Sequence, residues 1–169
     1  MASFIRLTSL NFAQFQNFIM EVEGVSFPSP WSLQSFKKEI DNPVSYLYVL
    51  VSEGDTIGYI CYWEFAEESH LMNIAVHPGM RGQGYGLLLL GKMLENGASH
   101  SIKKAWLEVR PSNTSAMRLY EKAGFDRIAV RRGYYRDTKE DAIIMAIDLD
   151  NSHGYEKQRS NKGNAVTAV

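Results

Sequence analysis

The stretch NIAVHPGMRGQGYGLLLLGKML, residues 73–94, changes character in its middle. Asn73–Val76 reads as the end of a strand, His77-Pro78-Gly79 as a turn, and Leu87 onward as an apolar helix. Between them stand three alternating glycines, Gly82, Gly84 and Gly86, directly after Arg81. Side chains are given up where the helix begins, and a helix N-terminus offers unpaired N–H groups and positive partial charge. That combination points to an anionic ligand touching backbone. Three phosphate-loop patterns compete with a ligand-free glycine turn. A dinucleotide fingerprint fails because Leu87 stands where the third glycine is needed. GLLLLGKM from Gly86 imitates a nucleotide P-loop, but Met93 has no hydroxyl for magnesium, and its four leucines read as a buried helix face. Arg-x-x-Gly-x-Gly at Arg81, Gly84 and Gly86 fits a loop whose successive N–H groups wrap a pyrophosphate.

Working outward, SFIRLT reads as a first strand, followed by a helix capped by Asn11 and ended by Gly24. Ser32 opens a short helix that Pro43 stops. SYLYVLVSE and TIGYICYWEF form a hairpin through Glu53-Gly54-Asp55, and SHLMNIAV leads into the glycine loop. KAWLEVR is a strand. SNTSAMRLYEKAGF is a helix with Ala116, Leu119, Tyr120 and Ala123 facing inward and Gly124 at its C-terminal cap. DRIAVRRGYY and DAIIMAIDL close the chain as two strands. The order β-α-α-β-β-β-α-β-α-β-β predicts an α/β protein with a mixed sheet covered by helices.

Residues 1–150 read as one domain. Residues 151–169 are polar, Lys157, Arg159 and Lys162 outnumber Glu156, and the segment reads as a disordered tail. The net charge of -1 offers no basic field for nucleic acid. No signal peptide or membrane-length apolar run is visible, and a single cysteine, Cys61, fits a reducing, cytoplasmic setting. Cys61 reads as a buried structural thiol. The four histidines have no metal-ligand spacing, so no metal is expected, and His77 reads as structural.

NIAVHPGMRGQGYG resembles the acetyl-CoA motif of the Gcn5-related N-acetyltransferase (GNAT) superfamily, and the element order matches its acyl-CoA N-acyltransferase fold. AWLEVRPSNTSAMRLYEKAGF, RRGYY and EDAIIMAI together resemble the RimI group within it, over roughly residues 3 to 149. The resemblance implies acetyl transfer from acetyl-CoA to the N-terminal alanine of a small-subunit ribosomal protein. A small amine, a lysine side chain or an aminoacyl-tRNA is the alternative acceptor, and a regulatory acyl-CoA-binding module without turnover is a third reading.

The resemblance makes Glu108 the general base and Tyr120 the acid that protonates the departing CoA thiolate. On spacing alone, Glu108 is also compatible with a solvent-facing residue or an arginine ion pair, and Tyr120 with core packing. The resemblance also implies that Ile74, Ala75 and Val76 pair with pantetheine through their backbone, on an edge splayed from the next strand. Arg81, Gly82, Gln83, Gly84, Tyr85, Gly86 and Leu87 then surround the pyrophosphate, and Asn113 touches CoA besides capping its helix. Tyr134, Tyr135 and the SFPSPW segment ending at Trp31 are candidate walls of the acceptor channel. Oligomeric state is not legible.

Overall fold

The computed structural model describes residues 1–150; the segment 151–169 read as a tail lies outside the described residues. The elements are β1 (Ala2–Arg6), α1 (Phe12–Ser26), α2 (Leu33–Asp41), β2 (Ser45–Ser52), β3 (Asp55–Phe65), β4 (Glu68–Val76), a 3₁₀ turn (Pro78–Met80), α3 (Tyr85–Ser99), β5 (Lys104–Val109), α4 (Thr114–Ala123), β6 (Asp126–Arg131) and β7 (Ala142–Asp148). The strands form one sheet, ordered β1-β2-β3-β4-β5-β7-β6. β4 and β5 pair in parallel, joined by α3 as the crossover, and the other neighbours are antiparallel.

The period of two along β2 sorts its side chains onto two cores. Tyr46, Tyr48 and Leu50 pack with Leu89, Leu90 and Met93 of α3 and with Tyr120 of α4. Leu47, Val49 and Val51 pack with Ile19 and Val22 of α1 and Phe36 of α2. Each fully buried Leu, Val or Phe contributes about 1.5–3 kcal/mol, so both faces hold the sheet between helix pairs. Cys61 lies in the second core, and burial pushes its thiol up to about 12, as expected of a structural cysteine.

Two features of β4 shape everything above the sheet. Cys61 pairs with Asn73 and Tyr62 with Leu71, so Met72 is an extra residue, a β-bulge. The pairing of β4 with β5 runs only through Glu68, Ser69 and His70, where His70 faces Trp106. The strands therefore part where the bulge bends β4. Gly58 on β3 supports the bent segment: a Cβ there would lie 2.5 Å from the Ala75 carbonyl oxygen and 3.1 Å from Leu89 Cδ1.

Some boundaries differ from the sequence expectation. α1 runs through Gly24 to Ser26 and ends at extended Phe27, the conformation required before Pro28. Asn11 does not cap α1 with its side chain; it binds the Thr8 N–H and the Arg6 carbonyl instead. β6 stops at Arg131, because Asp141 accepts from the Gly133 N–H and from Arg132 and turns the chain into a loop. Of the four consecutive leucines of α3, Leu89 and Leu90 are buried while Leu88 is exposed. On α4, Met117 joins Tyr120 as a buried residue.

Candidate active site

The parting of β4 and β5 opens a cleft of about 660 Å³ between the sheet, α1, α3 and α4. Ile74, Ala75 and Val76 form one wall of it, and among the described residues their β5-facing edge has no strand partner. The glycine loop forms one end. Gly82 and Gly84 hold φ of +77° and +87°, and Gly84 serves as N-cap of α3 without a side chain to occupy the helix end. Among the described residues, no protein acceptor meets the N–H groups of residues 82 to 84, and Tyr85 and Gly86 are first-turn positions of α3. Arg81 lines the cleft too, but its guanidinium is committed, Nε to the Val76 carbonyl and Nη2 to Ser26 Oγ. It fastens the loop to β4 and α1. Gly86 lines the cleft and lets α3 approach Leu119 of α4, whose Cδ2 would stand 3.2 Å from an added Cβ. Tyr85, Leu87 and Asn113 are lining residues as well, and Asn113 caps α4 by accepting from the Ala116 N–H. Gln83 does not line the cleft. Arg118 and Lys122 of α4 do, giving this end two cations that the sequence reading missed.

The other end is built from side chains. Glu108 lines the cleft from β5 with its side chain 8% exposed. Its Oε2 lies 2.6 Å from His70 Nε2, and its Oε1 lies 3.7 Å from Arg131 Nη1. Tyr120 lines the cleft from α4. Burial holds its phenol above the ordinary value, so at neutral pH it carries its proton, and among the described residues its hydroxyl has no protein partner. Tyr135 lines the cleft beneath the Arg110 guanidinium, 3.8 Å above its ring, and burial pushes its phenol up to about 12. Tyr134, also expected as a channel wall, is not among the residues lining the cleft. Because β6 ends early, its ring stands edge-on to Tyr135, 40% exposed, and outside the cleft lining.

Two anchors fix the loops over this end. Arg110 forks onto Asp137 through Nη1 and Nη2, and Ser29 Oγ donates to the same carboxylate at 2.7 Å. These hydrogen bonds hold Asp137 well below the usual carboxylate range and join the loop after α1 to the loop before β7. Glu23 of α1 is 1% exposed. It accepts from the Trp31 N–H at 2.7 Å, from Asn73 Nδ2 and from the Tyr59 hydroxyl. Burial raises its carboxyl nonetheless. Trp31, a predicted wall residue, lines the cleft and packs on Phe36. Glu23, Asn73, Asp137 and His70 were missed in the sequence because their partners lie far away along the chain. Only a carboxylate within an otherwise apolar helix face hints at Glu23.

The sequence model of the acetyltransferase (GNAT) family matches residues 16–125, from α1 through the end of α4. The chain belongs to the GNAT acetyltransferase family. It is an acetyl-CoA-dependent N-acetyltransferase. It is 37% identical over 131 residues to the [ribosomal protein bS18]-alanine N-acetyltransferase of Escherichia coli, covering 76% of this chain and 87% of that one. The enzyme of the same name from Haemophilus influenzae is 36% identical over 135 residues, 78% and 90% of the two chains. The crystal structure of the ribosomal-protein-S18-alanine N-acetyltransferase from Escherichia coli superposes with a TM-score of 0.77 at 30% identity, covering 88% of this chain and 94% of that one. A GNAT family acetyltransferase from Elizabethkingia anophelis with acetyl-CoA bound shares the fold at a TM-score of 0.71 and 19% identity, covering 87% and 97%.

The residues present fit the GNAT co-substrate. Acetyl-CoA carries its thioester on an amide-bearing arm that a pyrophosphate joins to a phosphorylated adenosine, and the cleft offers an unpaired strand edge leading to a glycine loop at a helix N-terminus.

Proposed function

We propose that this N-acetyltransferase acetylates the α-amine of the N-terminal alanine of bacterial ribosomal protein bS18, in the cytoplasm. The observation that carries the reading is the meeting of Glu108, Tyr120 and the free edge of β4 in one cleft. Its similarity to enzymes that act on bS18 alanine supports the choice of acceptor.

Acetyl-CoA supplies an acetyl thioester when bound. Ile74, Ala75 and Val76 hold the pantetheine arm along β4, and the N–H groups of residues 82 to 86 hold the pyrophosphate. Gln83 contributes its backbone alone, since its side chain is not part of the cleft lining. Asn113 borders the arm while capping α4. Glu108 accepts the proton of the attacking amine, and the Tyr120 hydroxyl delivers one to the departing thiolate. An α-amine has an ordinary pKa of about 8, against about 10.4 for lysine, so a larger share is already neutral near pH 7 and the base has less to do. Tyr135 and Trp31 narrow the entry under the Arg110–Asp137–Ser29 link, which suits a chain end with a small first side chain.

The test is incubation of the protein with acetyl-CoA and isolated small-subunit ribosomal proteins, followed by mass spectrometry of N-terminal peptides. An acetyl group on the bS18 alanine is expected. Acetyl groups confined to other proteins or to lysine side chains contradict the proposal.

A further inference from the structure

We infer that His70 is a positioning residue for acetyl transfer: its imidazole locks the Glu108 carboxylate so that one oxygen is presented to the acceptor amine. The inference rests on the reading of Glu108 as the base, and it concerns a residue that the cleft itself does not touch.

The contact assigns the proton. An ionised carboxylate only accepts, so at 2.6 Å His70 Nε2–H is the donor and Glu108 Oε2 the acceptor. The imidazole is itself held between two tryptophans. It stacks on Trp106 with ring centroids 3.7 Å apart and planes 10° from parallel, and it meets Trp63 at 6.4 Å and 85°. Turning the ring away from Glu108 would break that stack. Among the charged groups facing the pair, Arg131 approaches only Oε1, at 3.7 Å, from a side chain 60% exposed. Of the two partners of Glu108, His70 is therefore the fixed one.

The place in the sheet gives the contact its meaning. His70 faces Trp106 at the last paired position of β4 and β5, immediately before the strands part. Glu108 lies two residues further along β5 and lines the cleft, whereas His70 does not. The imidazole reaches the base from behind, across the point where the cleft begins. With Oε2 engaged there, Oε1 remains for the amine. Glu108 is short of other restraints, since its strand neighbours Leu107 and Val109 face the opposite side and are buried in the core.

The experiment measures single-turnover acetylation of an alanine-first peptide by His70→Phe, His70→Gln, Glu108→Gln and the double variant His70→Phe/Glu108→Gln. Phenylalanine keeps the stack on Trp106 and removes the donor; glutamine restores an N–H near the Nε2 position. Met replaces Phe should His70→Phe fail to fold, as judged by its melting temperature. The expected result is a loss of about tenfold to a hundredfold in the chemical step for His70→Phe. Peptide KM and acetyl-CoA affinity stay within about twofold, since removing an interaction felt in the chemical step leaves ground-state binding alone. His70→Gln recovers most of the rate, and His70→Phe costs nothing further once Glu108 is Gln. A wild-type rate in His70→Phe beside a slow Glu108→Gln overturns the inference. So does full multiplication of the two losses, or a slow His70→Phe that glutamine does not rescue. A wild-type rate in Glu108→Gln overturns the base assignment instead, so the two failures are told apart.

Discussion

At its glycine end the cleft rests chiefly on backbone between residues 74 and 87, with Arg118 and Lys122 of α4 beside it; at its carboxylate end it is made of side chains that converge from α1, β4, β5, α4 and two loops. The first needs only the conformations that Gly82 and Gly84 permit and the dipole of α3. The second depends on contacts between residues far apart in the chain: Ser29 with Asp137, Glu23 with Asn73, His70 with Glu108. A backbone cradle tolerates many side chains and serves a ligand common to a whole family. A side-chain constellation can be altered one residue at a time, and that is where we propose acceptor choice resides. Substitutions at the two ends should therefore fail differently, the first in co-substrate affinity and the second in turnover and loop order.

The largest effect expected is on the chemical step. Glu108→Gln and Tyr120→Phe keep size while removing proton transfer. Each lowers turnover by about 10²–10⁴-fold, or roughly 3–5 kcal/mol of barrier, with Tyr120→Phe at the lower end because a thiolate leaves readily. Acetyl-CoA affinity measured by calorimetry is expected to stay unchanged, and near-normal turnover with chemistry rate-limiting removes both roles. A smaller loss follows at the buried anchor. Glu23→Gln places an N–H₂ among donors from Trp31, Asn73 and Tyr59, and is expected to cost about 1–3 kcal/mol of stability in denaturant unfolding.

The pH dependence of that anchor sharpens the assignment. Burial raises the folded-state carboxyl of Glu23, so its stabilising contribution is complete below the unfolded-state value of about 4.3 and declines as the pH rises through the folded value. The stability gap between wild type and Glu23→Gln should narrow from pH 4 towards neutrality. A gap that widens over that range contradicts the burial argument. The smallest effect is at the glycine end. Gly84→Val denies φ +87° to the N-cap of α3 and is expected to weaken acetyl-CoA about tenfold, or about 1.4 kcal/mol, in a protein still folded by circular dichroism. Unchanged affinity breaks the contrast between the two ends.

The same contrast explains what the sequence made legible. Element order, the hairpin at Glu53-Gly54 and the glycine loop are local patterns, set by period and by residues that tolerate positive φ, and all appear where expected. Glu108 and Tyr120 were identified through resemblance, and the fold puts both in the cleft lining. The β4 bulge at Met72 was invisible, because a bulge is defined by its partner strand and nothing in LMNIAV marks the extra residue. His70 stood out in the sequence only as a histidine without metal-ligand spacing, because its partner Glu108 lies 38 residues further along the chain, on the neighbouring strand β5. The end of β6 was read too late because DRIAVRRGYY carries no proline or early turn signal, whereas Asp141, ten residues past Arg131, turns the chain there.

The central claim is transfer to a chain-terminal α-amine, and one peptide tests it most directly. The peptide begins with alanine, follows the bS18 N-terminus and carries an internal lysine. It is presented to the enzyme and acetyl-CoA once with a free N-terminus and once with that terminus blocked. A single acetyl group on the free α-amine, located by fragmentation in the mass spectrometer, is expected, and no product from the blocked form. Acetyl on the lysine to an equal extent, or product undiminished after blocking, would contradict it.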